Sequence, residues 1–183
     1  YESFAEPMRL ASLVRTLAER PARVDSSATG SVISSPGAQR NLLYYRGAAS
    51  ELGPQQRAAD HLFGHLAGLL GDPPTRTLLL GAGSGAVIDA LRRGSGGTVE
   101  VYEPSTALRK LIRTHGEWNR QAAADPAVAL LRASPLANSG GKFDAILVEL
   151  PPPWLAGSAS HWGDSRLARI ASRLSPRGSA IFR

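Results

Sequence analysis

Residues 77–93 read TLLLGAGSGAVIDALRR, and they pass without a break from an apolar, β-prone run through a glycine-rich loop into a helical pattern. Gly81, Gly83 and Gly85 form G-x-G-x-G at the junction. Glycines there allow a tight turn and let a ligand approach the backbone, where the amides of the helix N-terminus can face it. An ordinary strand-to-helix turn is the alternative interpretation. The stretch therefore predicts a strand, loop and helix in an α/β fold.

Outward from this stretch, short apolar runs alternate with helical patterns. The pattern predicts strands at 77–80, 98–103, 127–131, 144–149 and 179–182, and helices at 55–70, 86–93, 106–120 and 165–174. This alternation indicates βαβ units and a mainly parallel sheet with helices on both faces. In the first of these helices, the spacing places five apolar residues on the inward side: Leu62, Phe63, Leu66, Leu69 and Leu70.

Two smaller elements precede the alternating region. Residues 7–20 have the spacing of an amphipathic helix, and the β-prone runs 30–33 and 40–45 flank SSPGAQ, which contains the proline and glycine of a hairpin turn. We therefore predict three parts: a helical lead-in or linker at 1–28, an N-terminal β-hairpin at 29–54 and the α/β domain at 55–183.

The composition is that of a folded protein with one α/β domain. Its 183 residues are 43% hydrophobic and 20% charged, and the net charge of +6 comes almost wholly from scattered arginines. We expect a solvated basic surface and no nucleic-acid partner. The absence of cysteine excludes a disulfide scaffold, a thiolate metal site and a cysteine nucleophile. No window reaches the roughly 20 apolar residues of a membrane span.

Glu103 stands at the end of the second predicted strand, next to the glycine loop in an α/β fold. A carboxylate at this place can accept hydrogen bonds from both hydroxyls of a ribose. The loop and Glu103 together predict an adenosine-containing ligand, and their spacing leaves NAD and S-adenosylmethionine open. The dinucleotide fingerprint has its third glycine further on, where this chain has Val87, which argues against a dinucleotide.

These motifs resemble the spermidine synthase (aminopropyltransferase) branch of the S-adenosylmethionine-dependent methyltransferase superfamily. The resemblance runs from about Gly30 onward and is carried by the hairpin and helix followed by GDPPTRTLLLGAGSG, VEVYEPS, DPAVALLRASP and GKFDAILVELPPP. It implies a Rossmann-like methyltransferase fold. It also implies a site for S-adenosylmethionine or decarboxylated S-adenosylmethionine, lined by Gly81, Gly83, Gly85 and Glu103.

The chain departs from that family at three places. After the third strand the family has Gly-Asp-Ala, and this chain has Arg132, Ala133 and Ser134. In the helix before the loop the family has Tyr-(His/Gln)-Glu-Met, and this chain has ADHL at 59–62. After the fourth strand the family has Asp-x-x-Asp-Pro, and this chain has Glu149 in the first position and Pro152 in the second. The resemblance implies Glu149 as the catalytic base.

Other groups of polar and aromatic residues predict no site of their own. His61 and His65 are spaced as half a metal site, but the sequence offers no third ligand nearby, so we assign them a surface or packing role. His161, Asp164 and Ser165 cluster in a predicted loop without a nucleophile elbow. Trp154 and Trp162 flank the predicted site and can stack on a ligand or cap the core.

The predicted sheet has five strands, whereas the full fold of the superfamily has seven. We therefore expect that the C-terminal strand pair is missing, that the chain is a fragment, and that a homodimer or a larger protein assembly covers the last strand. The expected location is cytoplasmic, with membrane association through regions or partners outside this chain, because some relatives of this type are fused to membrane-spanning segments.

Two functional hypotheses follow. The first is a spermidine synthase-like domain with altered or lost aminopropyltransferase activity, which serves as a structural or ligand-sensing module of a larger assembly. The second is an active aminopropyl- or methyltransferase that uses an S-adenosyl donor, with Glu149 as base. The substitutions at Ala133, Pro152 and Ala59 favour the first.

Overall fold

The computed structural model describes residues 23–27, 30–35, 42–45, 48–51, 54–70, 72–114, 116, 118–137, 140–149 and 163–183. Its strands are β1 (Arg23–Ser27), β2 (Gly30–Ser35), β3 (Leu42–Tyr45), β4 (Ala48–Glu51), β5 (Arg76–Leu80), β6 (Thr98–Tyr102), β7 (Val128–Leu131), β8 (Phe143–Val148) and β9 (Leu174–Phe182). Its α-helices are α1 (Pro54–Leu69), α2 (Ala86–Gly94), α3 (Thr106–Thr114) and α4 (Asp164–Arg173).

The main sheet has five strands in the order β7-β6-β5-β8-β9, and all its neighbours are parallel. In the central strand β5, Thr77, Leu78, Leu79 and Leu80 are all buried. Leu79 packs into a core with α1 and α2 on one face of the sheet, and Leu78 and Leu80 pack into a core with α4 on the other. A strand covered on both faces has no polar side, which is why it reads as a continuous apolar run. The predicted α/β fold with a parallel five-stranded sheet is confirmed.

The N-terminal region forms a separate four-stranded antiparallel sheet in the order β1-β2-β3-β4. The predicted hairpin corresponds to β2 and β3, which pair with Val32 opposite Tyr45. Strand β1 corrects the assignment of 1–28 as a helical lead-in or linker, because Arg23–Ser27 pairs along its whole length with β2. The predicted helix at 7–20 lies outside the described residues, and the division into three parts stays a prediction.

Two elements of the main domain differ most from their predicted bounds. Helix α3 ends at Thr114 rather than Arg120, and it could not include Arg120 and Gln121, whose φ values of 50° and 63° a right-handed helix does not contain. Strand β9 begins at Leu174 rather than Ser179, directly after α4, with a register shift opposite β8. In the described part of the sheet β9 pairs with β8 alone, so the expected cover for its edge stays a prediction.

Helix α1 buries only part of the face that the spacing predicts as inward, because Phe63 and Leu66 pack into the core and three leucines do not. Leu62, Leu69 and Leu70 are exposed, whereas Phe63 and Ala67 are buried. The buried stripe also contains Asp60, which is only 4% exposed and lies three residues before Phe63. A carboxylate on the buried side of this helix therefore faces the end of the sheet.

Candidate functional site at the carboxyl end of the sheet

The glycine loop joins β5 to α2 in a left-handed conformation. Gly81, Gly83 and Gly85 have φ values of +85°, +46° and +87°, which residues with a Cβ adopt rarely. Space is also limited, because a Cβ on Gly81 would lie 2.8 Å from the carbonyl oxygen of Glu149. These glycines are therefore required by the local backbone, and they bring the loop against the end of β8.

Glu103 follows β6 directly and is bound to the glycine loop. Its Oε2 accepts a hydrogen bond from the amide of Ala82 at 3.1 Å, and its Oε1 accepts one from the amide of Ser105 at 2.8 Å. The residue is 3% exposed, and this burial raises the pKa of Glu103 although the two amide hydrogen bonds lower it. Because a carboxylate can accept about four hydrogen bonds, roughly two acceptor positions are left after these two amides.

Glu149 follows β8 directly, and its side chain lies over the loop. A Cβ on Gly83 would be 3.1 Å from Oε1 and 3.2 Å from Oε2 of Glu149. Oε1 accepts a hydrogen bond from Arg183, whereas the buried Oε2 has no hydrogen-bond partner among the residues that the structure describes. Burial raises the pKa of Glu149, and the positive charge of Arg183 opposes this rise. The acid is thus held beside the loop with one oxygen unused.

Asp60 and Arg183 belong to the same cluster, although sequence reasoning assigned neither to the site. Arg183 Nη1 donates to Asp60 Oδ1 at 2.7 Å, and Arg183 Nη2 donates to Glu149 Oε1 at 2.7 Å. Asp60 also accepts from Gln56 at 2.8 Å and lies 3.4 Å from the hydroxyl of Ser84 in the glycine loop. The i, i+3, i+7 spacing of Asp60 with Phe63 and Ala67 was the available sequence signal for its buried position.

A small open cavity lies beside the loop on its α1 side. It is lined by Gln56, Arg57, Asp60, Ser84, Ala86 and Trp118. The predicted loop, Glu103, Glu149 and this cavity therefore gather at one end of the sheet, where ligands bind in open α/β folds. The roles of Gly81, Gly83, Gly85, Glu103 and Glu149 in binding or catalysis stay predictions.

At some positions the sequence departs from the spermidine synthase pattern, and the side chains there do not replace the polar groups of that pattern. Ala133 and Arg132 follow β7 and are exposed. Ala59 is exposed on α1, and the residue that faces the site is its neighbour Asp60. Pro152, Trp154, His161 and Trp162 lie outside the described residues.

The histidine pair on α1 is part of a charge cluster away from the glycine loop. The rings of His61 and His65 meet edge to face at 6.4 Å, and His61 Nε2 lies 3.4 Å from Asp89 Oδ2. Burial lowers the pKa of His61, although the charge of Asp89 opposes this. Within the described ranges, no three His, Asp or Glu side chains come together in a way that could hold a metal ion.

No helix among the residues that the structure describes has both the length and the apolar character needed to cross a membrane.

Comparisons with known proteins agree with this architecture. No protein-family model and no curated protein matches the sequence. A spermidine synthase in complex with the transition state analogue AdoDATO superposes with a TM-score of 0.74 at 12% identity, over 84% of this chain and 54% of that one. The spermidine synthase from Thermotoga maritima gives 0.72 at 12% identity, over 86% and 55%.

A third similar structure is the N-methyltransferase NodS from Bradyrhizobium japonicum WM9 in complex with S-adenosyl-L-homocysteine. It gives a TM-score of 0.54 at 16% identity, over 70% of this chain and 61% of that one. The chain thus spans about half the length of the two spermidine synthases that it resembles. At these identities the likeness establishes the fold: the chain has an α/β, Rossmann-like methyltransferase fold.

Proposed function

We propose that this chain is a spermidine synthase-like domain that binds S-adenosylmethionine or decarboxylated S-adenosylmethionine, with its aminopropyl transfer altered or lost. The observation that carries the proposal is the loop of three left-handed glycines tied to Glu103 at the carboxyl end of the central strands. Both features lie where this fold offers a nucleoside its backbone amides and an acid. The solved structures with the same fold include one bound to S-adenosyl-L-homocysteine.

The residues present fit a ligand of this class. Glu103 has acceptor positions left for ribose hydroxyls after binding two amides. The left-handed glycines allow close approach to the loop backbone. On the side of Gly83 where a Cβ would stand, the carboxylate of Glu149 is in contact, so a ligand approaching there must displace that side chain. When bound, the ligand would supply the activated carbon that is transferred.

The residues expected to deprotonate and bind the amine acceptor support an altered or lost aminopropyl transfer. An amine nucleophile must lose a proton to a base within about 3 Å. Glu149 is the candidate base, and one of its oxygens already accepts a hydrogen bond from Arg183. The exposed Ala133 offers no carboxylate to an adenine amino group, and Ala59 faces away from the site.

The second candidate function is an active S-adenosyl-donor-dependent aminopropyl- or methyltransferase. The Oε2 of Glu149, which has no partner in the described ranges, favours it, because that oxygen is buried beside Gly83 and burial raises the pKa of its carboxyl group. A carboxylate in this condition accepts a proton more readily than an exposed one. In this reaction Glu149 would take the proton that the attacking acceptor loses.

Calorimetric titration tests the donor site. We expect S-adenosylmethionine, its decarboxylated form or methylthioadenosine to bind the wild-type chain. Glu103→Gln should weaken binding by roughly tenfold or more, because an amide replaces an acceptor-only carboxylate. Glu100→Gln is the matched control, since Glu100 lies on the same strand and pairs with Arg76. Failure of all three ligands to bind the wild type would contradict the proposal.

Turnover separates the two candidates. The proposal expects no aminopropyl transfer from decarboxylated S-adenosylmethionine to putrescine and no methyl transfer from S-adenosylmethionine. Transfer that is present in the wild type and lost in Glu149→Gln would establish the second candidate instead. Transfer that survives Glu149→Gln would contradict the role of Glu149 as base.

A further inference from the structure

Arg183 occupies the space between two acids that come from different parts of the chain. Its guanidinium donates one hydrogen bond to Asp60 on α1 and one to Glu149 after β8, each at 2.7 Å. The side chains of Asp60 and Glu149 are 6% and 25% exposed, and that of Arg183 is 30% exposed. This arrangement places one cation against two partly desolvated carboxylates.

The position of Arg183 is set by backbone and side-chain contacts. Its amide donates to the carbonyl of Val148 at 3.0 Å, which continues the pairing of β9 with β8 past the last strand residue. Its guanidinium carbon lies 4.9 Å from the centre of the Phe63 ring, within the range of a cation–π contact. The fork of the guanidinium can therefore reach both acids without distorting the sheet.

The two carboxylates without Arg183 would form a strong site for a positively charged group. When both are ionised, Asp60 and Glu149 would place two negative charges beside the glycine loop, and an ammonium or guanidinium group between them would make the same contacts as Arg183. With Arg183 in place, its positive charge offsets one of these charges, and Glu149 Oε1 is already paired. An incoming cation would have to displace Arg183 and leave it without both partners, which costs free energy.

We propose that Arg183 is a specificity-determining residue that fills the cation site formed by Asp60 and Glu149 and thereby excludes positively charged acceptors. This inference rests on the proposed transferase-like site. Its consequence is that an acceptor must reach Glu149 Oε2 as an uncharged group, because the positive charge of Arg183 lies on the other oxygen of the same carboxyl group.

The test is a binding titration without any S-adenosyl ligand. Putrescine and ethylguanidinium are titrated calorimetrically into the wild type, Arg183→Ala and the control Arg177→Ala, which removes an exposed arginine of the same strand. We expect Arg183→Ala to bind both cations roughly tenfold more tightly than the wild type, equivalent to about 1.4 kcal/mol. Arg177→Ala should bind them as weakly as the wild type.

Two further variants keep the test decisive. Arg183→Gln retains hydrogen-bond donors without the charge, and it should show the same gain if Arg183→Ala does not fold. The double variant Arg183→Ala/Glu149→Gln should lose the gain, which a general loosening of the structure would not do. Wild-type protein that binds putrescine as tightly as Arg183→Ala, or a gain that persists without Glu149, would overturn the inference. Because no donor is present, these results do not depend on whether the chain binds an S-adenosyl ligand.

Discussion

Acidic residues at the two ends of the parallel sheet have pKa values that are shifted in opposite directions. At the amino end, Asp144 accepts hydrogen bonds from the Thr75 hydroxyl at 2.7 Å, the amides of Thr75 and Arg76 at 3.1 Å each, and the Ser175 hydroxyl at 3.0 Å. These bonds, led by that of the Thr75 hydroxyl, lower the pKa of Asp144. At the carboxyl end, burial raises the pKa values of Glu103 and Glu149.

The difference separates a structural acid from candidate functional acids. Asp144 joins the starts of β5, β8 and β9, and its charged form is stabilised by partners that the fold itself supplies. Glu149 has one oxygen for which the described part of the chain supplies no partner, and it touches a glycine loop in a left-handed conformation. An acid whose charged form is disfavoured binds a proton more readily than an exposed one, so Glu103 and Glu149 are the candidate functional acids of this sheet.

The largest effect is expected from Asp144→Ala. The substitution removes four hydrogen bonds to a charged group and leaves two amides to find other partners, so the free energy of unfolding should fall by about 3 kcal/mol. Urea unfolding measures this loss, and Asp144→Asn should lose less because it keeps an acceptor. Calorimetry should show S-adenosyl ligand binding unchanged in the folded fraction. A loss of stability under about 0.5 kcal/mol would contradict the structural role assigned to the amino end.

Gly83→Ala is expected to cost about 1–2 kcal/mol of unfolding free energy, because an alanine at φ +46° is strained. The new Cβ would also meet Glu149 Oε1 at 3.1 Å. Urea unfolding of Gly83→Ala, Glu149→Ala and the double variant forms a cycle that isolates this contact. We expect the cost of Gly83→Ala to be smaller when Glu149 is absent. Strict additivity would show that Glu149 does not lie over the loop.

The pH dependence of stability should have opposite signs at the two ends. Because the pKa of Glu149 is raised above 4.5, its contribution is fully present below that value and is lost as the pH rises through the folded-state pKa. The stability of the wild type relative to Glu149→Gln should therefore fall as the pH rises from about 4 to 8, measured by urea unfolding.

Asp144 provides the contrast for this measurement. Its pKa is lowered below 3.8, so its contribution is present above that value and is lost as the pH falls through the folded-state pKa. The advantage of the wild type over Asp144→Asn should shrink in acid. The same sign of pH dependence for both variants would remove the distinction between the two ends of the sheet.

The smallest effect is expected from Glu100→Gln. Arg76 Nη2 pairs with Glu100 at 2.6 Å, but their side chains are 35% and 21% exposed, so solvent screens the pair. We expect the unfolding free energy to change by about 0.5 kcal/mol or less, as measured by urea unfolding. A loss as large as that of Asp144→Ala would mean that ion pairs, rather than the hydrogen bonds of Asp144, stabilise the amino end.

Strands β5 and β8 were predictable because parallel strands buried on both faces leave a local signature. Leu78 to Leu80 in β5 and Ile146 to Val148 in β8 are apolar at every position, and the glycines mark the turn that follows β5. The end of α3 was not predictable from the same pattern. Helical spacing continues to Arg120, but Arg120 and Gln121 adopt left-handed φ values that serve the following turn.

The candidate site was only half predictable. Glu103 and Glu149 could be found because each directly follows a strand, and the ends of adjacent parallel strands lie side by side. The predicted inward face of α1 was right for Phe63 and Leu66 and wrong for Leu62, Leu69 and Leu70, because all five residues fit an apolar stripe. Which stripe is buried depends on how α1 packs against α2, and that contact is not encoded in the spacing of α1 alone.

By itself, the sequence determined the α/β class, the left-handed glycine loop and two acids at strand ends, because these depend on local patterns of burial and backbone conformation. The tertiary structure decided which groups surround those acids. Asp60, Glu149 and Arg183 are separated by long stretches of chain, and their 2.7 Å ion pairs exist only because the interior of α1 packs beside the ends of β8 and β9. The pKa shifts follow from that packing, since desolvation and neighbouring charge are properties of the folded molecule.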